Sequence, residues 1–208
     1  MTLFALAIGP DWSVVVTIAT WPLVLVAAVV GTVIFCWRRW GTGGHVTIDG
    51  GSIGIGTQRI EVTINRANRE IAHKLWVELS SRKLGMPIDF KNDVIVEIYN
   101  SWYAFFGITR EIIKSVPPSR LSHPDTVRLV DTALDVLNLA LRPHLTRWQA
   151  RFRRWYVAEI DKPENAQAAP QDIQRQFEDY DEMAAGLAEV NTRLIAYRDI
   201  LKKMVVKL

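Results

Sequence analysis

The sequence predicts a mainly α-helical protein with one N-terminal transmembrane helix, a small β region and an elongated cytoplasmic helical bundle. Three observations lead to this prediction. No charged side chain occurs between Ser13 and Trp37, glycines are dense between residues 41 and 64, and apolar residues recur every three or four positions after residue 65. The 208 residues suffice for one domain of ordinary size and an anchor.

The uncharged stretch at 13–37 is the predicted transmembrane helix. Its length of about 25 residues spans the roughly 30 Å hydrocarbon core of a bilayer with some tilt. Tryptophans stand at both ends, where indole rings favour the membrane interface. Because Arg38 and Arg39 follow directly, the positive-inside bias places residues 1–12 outside and residues 38–208 in the cytoplasm.

A cleaved signal peptide and a buried helix of a soluble domain are the alternatives for this stretch. A signal peptide is disfavoured because a basic leader is missing and the closing CWRR sequence is a poor cleavage site. Buried soluble helices rarely lack charge over such a length. A short apolar run at 2–8 precedes the stretch, and we expect it to lie at the outer interface or to prolong the helix.

Small and hydroxylated residues within the predicted span are candidates for lining a pore. They are Thr17, Thr20, Gly31 and Thr32. The alternative is that such residues are common in simple anchors and have no role in conduction. Pro22 lacks a backbone donor and predicts a kink. The absence of charge within the span disfavours a proton relay or a charge-lined transport site.

Residues 41–64 predict a small β region. A hairpin is expected from strands at 45–48 and 52–55 around a primed turn, and 59–64 is expected to add a third strand. The GSIGIG sequence in this region superficially resembles a phosphate loop. It lacks the Lys-Ser/Thr pair and a directly following helix, so a turn is favoured.

The first two helices of the predicted bundle, which occupies 65–208, have clear apolar faces. One covers 66–84 and aligns Ile71, Leu75 and Leu79. The other begins near Asn92 or Asp93, either of which is suited to cap it, and ends before a Pro-Pro sequence.

Two longer helices follow. The third is predicted as one helix of about 32 residues from Pro124, kinked at Pro143, because its apolar stripe continues through that proline. The fourth is predicted from Gln171 nearly to the end of the chain, over roughly 50 Å. Such narrow stripes on long helices are typical of coiled coils, so we expect a homo-oligomer.

The segment at 142–156, RPHLTRWQARFRRWY, combines arginines with aromatic residues and contains no acid. This mixture suits contacts with phosphates and bases. The candidate ligand-binding residues are Arg142, Arg147, Arg151, Arg153, Arg154 and Trp148. Two alternatives remain open: the aromatic residues belong to the core with the arginines on its flank, or the arginines contact acidic lipid headgroups.

Sequence patterns for catalysis and metal binding are missing. The four histidines lack metal-ligand spacing and are expected at the surface or at caps, and the single cysteine forms no cluster. No nucleophile elbow, Walker motif or HExxH sequence occurs. An acidic cluster at 178–182 is expected to be a solvated face rather than a metal site. The sequence therefore predicts neither an enzyme nor a cofactor, and a net charge of +3 does not by itself indicate nucleic-acid binding.

Three segments together resemble a family of small bacterial membrane proteins. They are KLWVELSSRKLGMPID at 74–89, NDVIVEIYNSWYAFFGITREII at 92–113 and LRPHLTRWQARFRRWY at 141–156. The family comprises single-pass membrane effectors of antiviral defence loci, of the Hailong type. The resemblance covers residues 50–160 well and the final helix loosely.

The resemblance implies a mechanism of abortive infection. A nucleotidyltransferase encoded nearby makes a nucleotide or oligonucleotide signal, and the effector binds this signal in the cytoplasm. An oligomeric ion channel then forms or opens in the inner membrane, so that the infected cell depolarises and stops growing. The alternative function is a membrane-anchored scaffold that recruits a cytoplasmic partner and conducts nothing.

Overall fold

The computed structural model describes residues 4–8, 14–18, 21–41 and 44–206, with side chains at 24–35 and 44–206. The chain divides into two units, unit 1 at residues 1–43 and unit 2 at residues 44–208. Helices dominate both, which confirms the prediction of a mainly helical protein with a small β region.

Unit 1 contains an antiparallel pair of strands and one helix. Strand β1 (Phe4–Ile8) pairs with β2 (Val14–Ile18), and α1 covers Trp21–Gly41. The prediction of one helix over 13–37 is therefore wrong in its first part. Every residue of β2 is β-branched, which favours a strand, and Pro22 lies in the first turn of α1, where proline is tolerated.

None of the helices that the structure describes combines the length and the apolar character that crossing a bilayer requires. The predicted transmembrane helix is thus without support from the described residues.

Unit 2 begins with a second antiparallel pair. Strand β3 (His45–Asp49) pairs with β4 (Arg59–Thr63), so the strand predicted at 59–64 is confirmed. Residues 52–55 do not form the expected partner of β3. A short helix, α2 (Gly50–Ile53), begins at this point instead.

Local hydrogen bonds explain why α2 replaces the predicted strand. The carboxylate of Asp49 accepts a hydrogen bond from the backbone N–H of Gly51 at 3.1 Å and so caps the turn. Gly54 ends α2 with φ at 74°, a left-handed conformation that glycine adopts readily. The GSIGIG sequence therefore forms a helical turn followed by a loop.

The remaining helices form one core. They are α3 (Arg66–Ser80), α4 (Ile95–Lys114), α5 (Pro124–Asp135), α6 (Arg142–His144), α7 (Ala150–Ile160), α8 (Pro170–Gln174) and α9 (Tyr180–Val205). Shorter 3₁₀ turns lie at Lys83–Gly85, Pro118–Ser122 and Pro163–Asn165, and π-helical turns lie at Val136–Leu141 and Leu145–Gln149. Helix α3 packs along α9, and buried side chains from all the longer helices of unit 2 join a single cluster.

Helix α3 agrees with its prediction, because Ile71, Leu75 and Leu79 are all buried. The N-terminus of α4 differs. Helix α4 begins at Ile95, whose backbone N–H donates to the side-chain oxygen of Gln174 at 2.9 Å. The Gln174 amide in turn donates to the carbonyl of Asp93 at 3.0 Å. The expected cap from Asn92 or Asp93 is wrong, since a residue distant in sequence satisfies this end of the helix.

Helical backbone runs without interruption from residue 124 to residue 160, as the predicted third helix required. Pro143, where a kink was predicted, lies in α6 between two π-helical turns. A wide turn before a proline relieves the clash of its ring with the preceding turn.

The predicted fourth helix is interrupted. Helix α8 ends at Gln174, and α9 starts only at Tyr180, so that α9 is about 39 Å long. The interruption follows from tertiary packing. Gln174 is held by the start of α4, and Phe177 in the connecting turn is 5% exposed.

Candidate functional site

The arginine–aromatic segment, residues 142–156, lies in the middle of the continuous helix and includes its second π-helical turn. Three of its aromatic residues, Trp148, Phe152 and Tyr156, are buried, and Trp155 is half-buried. Trp148 is 3% exposed, Phe152 is 0% exposed, and the Phe152 and Phe177 rings meet edge to face at 5.3 Å. This is the core role that the sequence left open for the aromatic residues, and it removes the Trp148 indole from the surface that a ligand can reach.

Two arginines of the segment form ion pairs with the acidic cluster near the start of α9. Arg147 Nη2 lies 2.5 Å from Glu182 Oε1, and Arg151 pairs with Asp179. Both guanidinium groups also lie over the Trp148 ring, at 4.7 and 5.8 Å from its centroid. The acidic cluster is therefore partly a counter-charge rather than only a solvated face.

Two further arginines bind amide oxygens instead of carboxylates. Arg142 Nε donates to Asn138 Oδ1 at 3.1 Å, and its guanidinium lies 5.2 Å from the Phe106 ring centroid. Arg153 Nη2 donates to Asn100 Oδ1 at 2.5 Å. Because these partners are neutral, both arginines keep their positive charge uncompensated on the side that faces α4.

Arg154 occupies a third position. It is exposed and lines a shallow groove of about 520 Å³ together with Arg151 and Trp155. Within the described part of the chain, no carboxylate pairs with Arg154. The five predicted arginines thus point towards α9, towards α4 or into this groove, with Arg151 shared by the first and the last, and are not gathered into one site.

A buried histidine in the segment differs from expectation. His144 was predicted at the surface or at a cap, but it is 7% exposed, and its Nε2 lies 3.0 Å from the Tyr99 hydroxyl oxygen. The Trp102 ring packs at 5.7 Å, and Gly186 on α9 leaves room for the imidazole. The spacing of 141, 144 and 148 places His144 in the apolar stripe, and this was the available signal.

Burial controls the protonation of this pair. Desolvation, aided by the charge of Arg147, lowers the pKa of His144 to about 4, so the imidazole is neutral at physiological pH. Desolvation also raises the pKa of the Tyr99 hydroxyl. Two neutral groups that share a buried hydrogen bond tie α4 to the long helix.

The described candidate pore residues lie on two different elements of unit 1. Thr17 lies in β2 opposite Ala5, and Thr20 falls outside the described residues. Gly31 and Thr32 lie in α1, where the Thr32 hydroxyl donates to the carbonyl of Ala28 at 2.7 Å. Gly31 and Thr32 therefore lie on a helix, as predicted. Thr17 lies on a strand and is not part of that helix.

Across residues 44–206 and the described part of α1, no three His, Cys, Asp or Glu side chains are grouped as metal ligands.

Comparison with family models, curated proteins and solved structures found no match to this chain.

Proposed function

We propose that this protein is a membrane effector of a bacterial antiphage defence system. In this proposal unit 1 attaches an oligomer to the inner membrane with the N-terminus outside. Unit 2 binds a nucleotide or oligonucleotide signal made by a partner nucleotidyltransferase, and the oligomer then conducts ions and depolarises the cell. The observation that carries the proposal is the surface of α1.

Helix α1 presents apolar side chains on all sides. Every residue from 24 to 35 is exposed, and the large apolar side chains among them are 50–67% exposed. The helix carries no charge before Arg38. A helix that is apolar around its whole circumference is stable in lipid or against other apolar helices and unfavourable in water. Basic residues and tryptophans at its end suit the headgroup region.

Conduction requires several copies, because one helix cannot enclose a path for ions. Gly31 supports close approach of a second helix, since a Cβ built there has no neighbouring atom within 4 Å. Small residues on apolar helices permit such contacts between backbones. Oligomer formation through α1 is therefore consistent with the exposed surface of this helix.

Signal binding is supported by the charges of unit 2 and by the family resemblance. Arg142, Arg153 and Arg154 have no carboxylate partner among the described residues. Arginines that keep their charge and their forked donors suit phosphate groups. The groove beside Arg154 and Trp155 offers an arginine for contact with a phosphate and an aromatic ring for stacking with a base.

Membrane attachment is tested by alkaline carbonate extraction of bacterial membranes that contain the full chain. We expect the wild-type chain to stay in the membrane pellet and the V26D/V30D variant to leave it, because a charge is unfavourable in hydrocarbon. The matched control is V77D/V157D, which changes two exposed valines of unit 2 in the same way. Release of the wild-type chain, or equal release of both variants, would contradict attachment through α1.

Conduction is tested separately by exchanging residues 1–41 for an unrelated single-pass anchor. Co-expression with the partner nucleotidyltransferase should depolarise cells that carry the wild-type chain, as a potential-sensitive dye reports. The exchanged chain should leave the membrane potential unchanged. A scaffold would keep its growth phenotype after the exchange, so retention of growth arrest would favour the scaffold over the channel.

A further inference from the structure

A second basic site lies in unit 2, at the starts of α3 and α5. It is a pocket of about 380 Å³, which we call the basic pocket. Its walls are formed by Asn65, Arg66, Ala67, Ser119, Arg120, His123 and Thr126. None of these lining residues is acidic, and within the described residues neither arginine forms an ion pair.

Hydrogen bonds fix the floor of the basic pocket. The Thr126 hydroxyl donates to Asn68 Oδ1 at 2.8 Å, and the Asn68 amide donates to the carbonyl of Thr63 at 2.9 Å. Asn68 and Thr126 are both 0% exposed. These bonds join β4, α3 and α5, so the floor of the pocket is formed before any ligand arrives, which reduces the ordering entropy lost on binding.

The electrostatic field in the basic pocket is positive. Arg66 and Arg120 contribute full charges from two different elements, and the N-terminus of α3, whose first turn contains no acid, adds partial positive charge. The nearest acids on these helices are already paired. Asp125 lies 3.3 Å from Arg128, and Glu70 lies 3.3 Å from Lys74. Neither acid is therefore paired with Arg66 or Arg120.

We propose that the basic pocket binds a dianionic phosphate group, carried by a soluble phosphorylated compound or by a lipid headgroup. Arg66 and Arg120 donate from their guanidinium groups, and the Ser119 hydroxyl and the backbone N–H groups of Arg66 and Ala67 complete the donor set. The next N–H of this turn, that of Asn68, already donates to Asn65 Oδ1 at 2.8 Å. The inference goes beyond the function proposed above. It concerns unit 2 alone and requires neither membrane attachment nor conduction.

Isothermal titration of the full chain in neutral-detergent micelles tests the inference at constant ionic strength. The probes are tripolyphosphate and the short-chain lipid dihexanoyl phosphatidic acid, with dihexanoyl phosphatidylcholine as the uncharged reference. We expect the variant R66A/R120A to bind the preferred probe about tenfold more weakly than wild type or worse. The variant R66K/R120K should fall between them, because lysine keeps the charge without the forked donors.

The matched control is K91A/R110A, which removes two exposed positive charges outside the pocket. It should bind within about twofold of wild type, since long-range charge is screened at physiological salt. Binding of tripolyphosphate would identify a soluble ligand, and binding of phosphatidic acid alone would identify a lipid. Failure of wild type to bind either probe, or equal weakening in both alanine variants, would overturn the inference.

Discussion

Helices α1 and α9 place their apolar side chains in opposite environments. In α9, Leu187, Leu194 and Leu201 are each 0% exposed and form part of the core of unit 2. In α1, Val24 and Phe35 are 67% and 63% exposed. The apolar residues of α9 therefore stabilise unit 2 from within, whereas the exposure of those of α1 is the basis of the attachment proposed above. The same residue types are buried in one helix and exposed in the other.

The largest effect we predict is a difference in the free energy of unfolding between two leucine-to-alanine variants, one in each helix. Leu194→Ala in α9 should lower the free energy of unfolding by about 2–5 kcal/mol, because it leaves a cavity in a closed core. Leu25→Ala in α1, where the side chain is 54% exposed, should change it by less than about 0.5 kcal/mol. Urea unfolding in neutral detergent, followed by far-UV circular dichroism, measures both. Similar losses in the two variants would show that α1 packs like α9.

The next effect concerns a polar residue on the buried side of α9. Asn191 is 4% exposed, and its amide donates to the carbonyls of Leu84 and Met86, each at 3.0 Å, while its oxygen accepts from the N–H of Ile88 at 3.3 Å. Asn191→Ala leaves these buried backbone groups without partners and should cost about 2–3 kcal/mol of stability.

The neighbouring Thr192→Ala is the control for that substitution. Its hydroxyl is exposed and donates only to the carbonyl of Ala188 within α9, so little should change. The same urea titration compares the two variants. If the Thr192 variant lost as much stability as the Asn191 variant, the loss would come from substitution within helix α9 and not from the contact with residues 84–88.

Much of α9 and its neighbours was predictable because the signals are local. The spacing of Ile71, Leu75 and Leu79 predicted α3. The uninterrupted stripe of apolar residues on both sides of Pro143 predicted that the long helix continues past this proline. The failures came from distant partners. Gln174 caps α4 across 79 positions of sequence, and the same residue ends α8. In unit 1, β-branching outweighed the hydropathy that predicted a helix at 14–18.

The candidate site shows the same limit. The sequence placed five arginines in one segment, but not their partners, because the acids that pair with Arg147 and Arg151 lie beyond residue 178. The basic pocket was not predicted at all. Its two arginines are far apart in sequence and meet only when α3 packs against the turn before α5. Helical periodicity predicts which side of a helix is buried, and it carries no information on which charges share a pocket.

A pH-dependent effect is expected at the contact between α6 and α9. His144 packs beside Gly186 and faces Tyr99, Trp102 and Arg147, and its pKa is lowered from 6.5 to about 4 by burial. Between these pH values the unfolded chain binds a proton that the folded chain does not. Stability is therefore full above pH 6.5 and falls towards pH 4, by up to about 1.4 kcal/mol per pH unit.

Replacing this histidine isolates its share of the acid sensitivity. His144→Gln should flatten the decline between pH 6.5 and pH 4 relative to wild type, whereas His73→Gln, at an exposed histidine, should leave it unchanged. Urea unfolding at a series of pH values measures both slopes. An unchanged slope in the His144 variant would mean that other groups account for the loss of stability in acid.

The smallest effect belongs to the exposed face of α9, at the ion pair between Arg147 and Glu182. Their side chains are 62% and 57% exposed, so solvent screens the attraction. A double-mutant cycle with Arg147→Ala and Glu182→Ala should give a coupling free energy of about 0.2–1 kcal/mol, smaller still at high salt. A coupling above this range would mean that the pair is shielded from water, as a neighbouring subunit would shield it. In that case part of the surface of α9 would also contact a partner, as proposed for α1. The two helices would then differ less in how their surfaces are used.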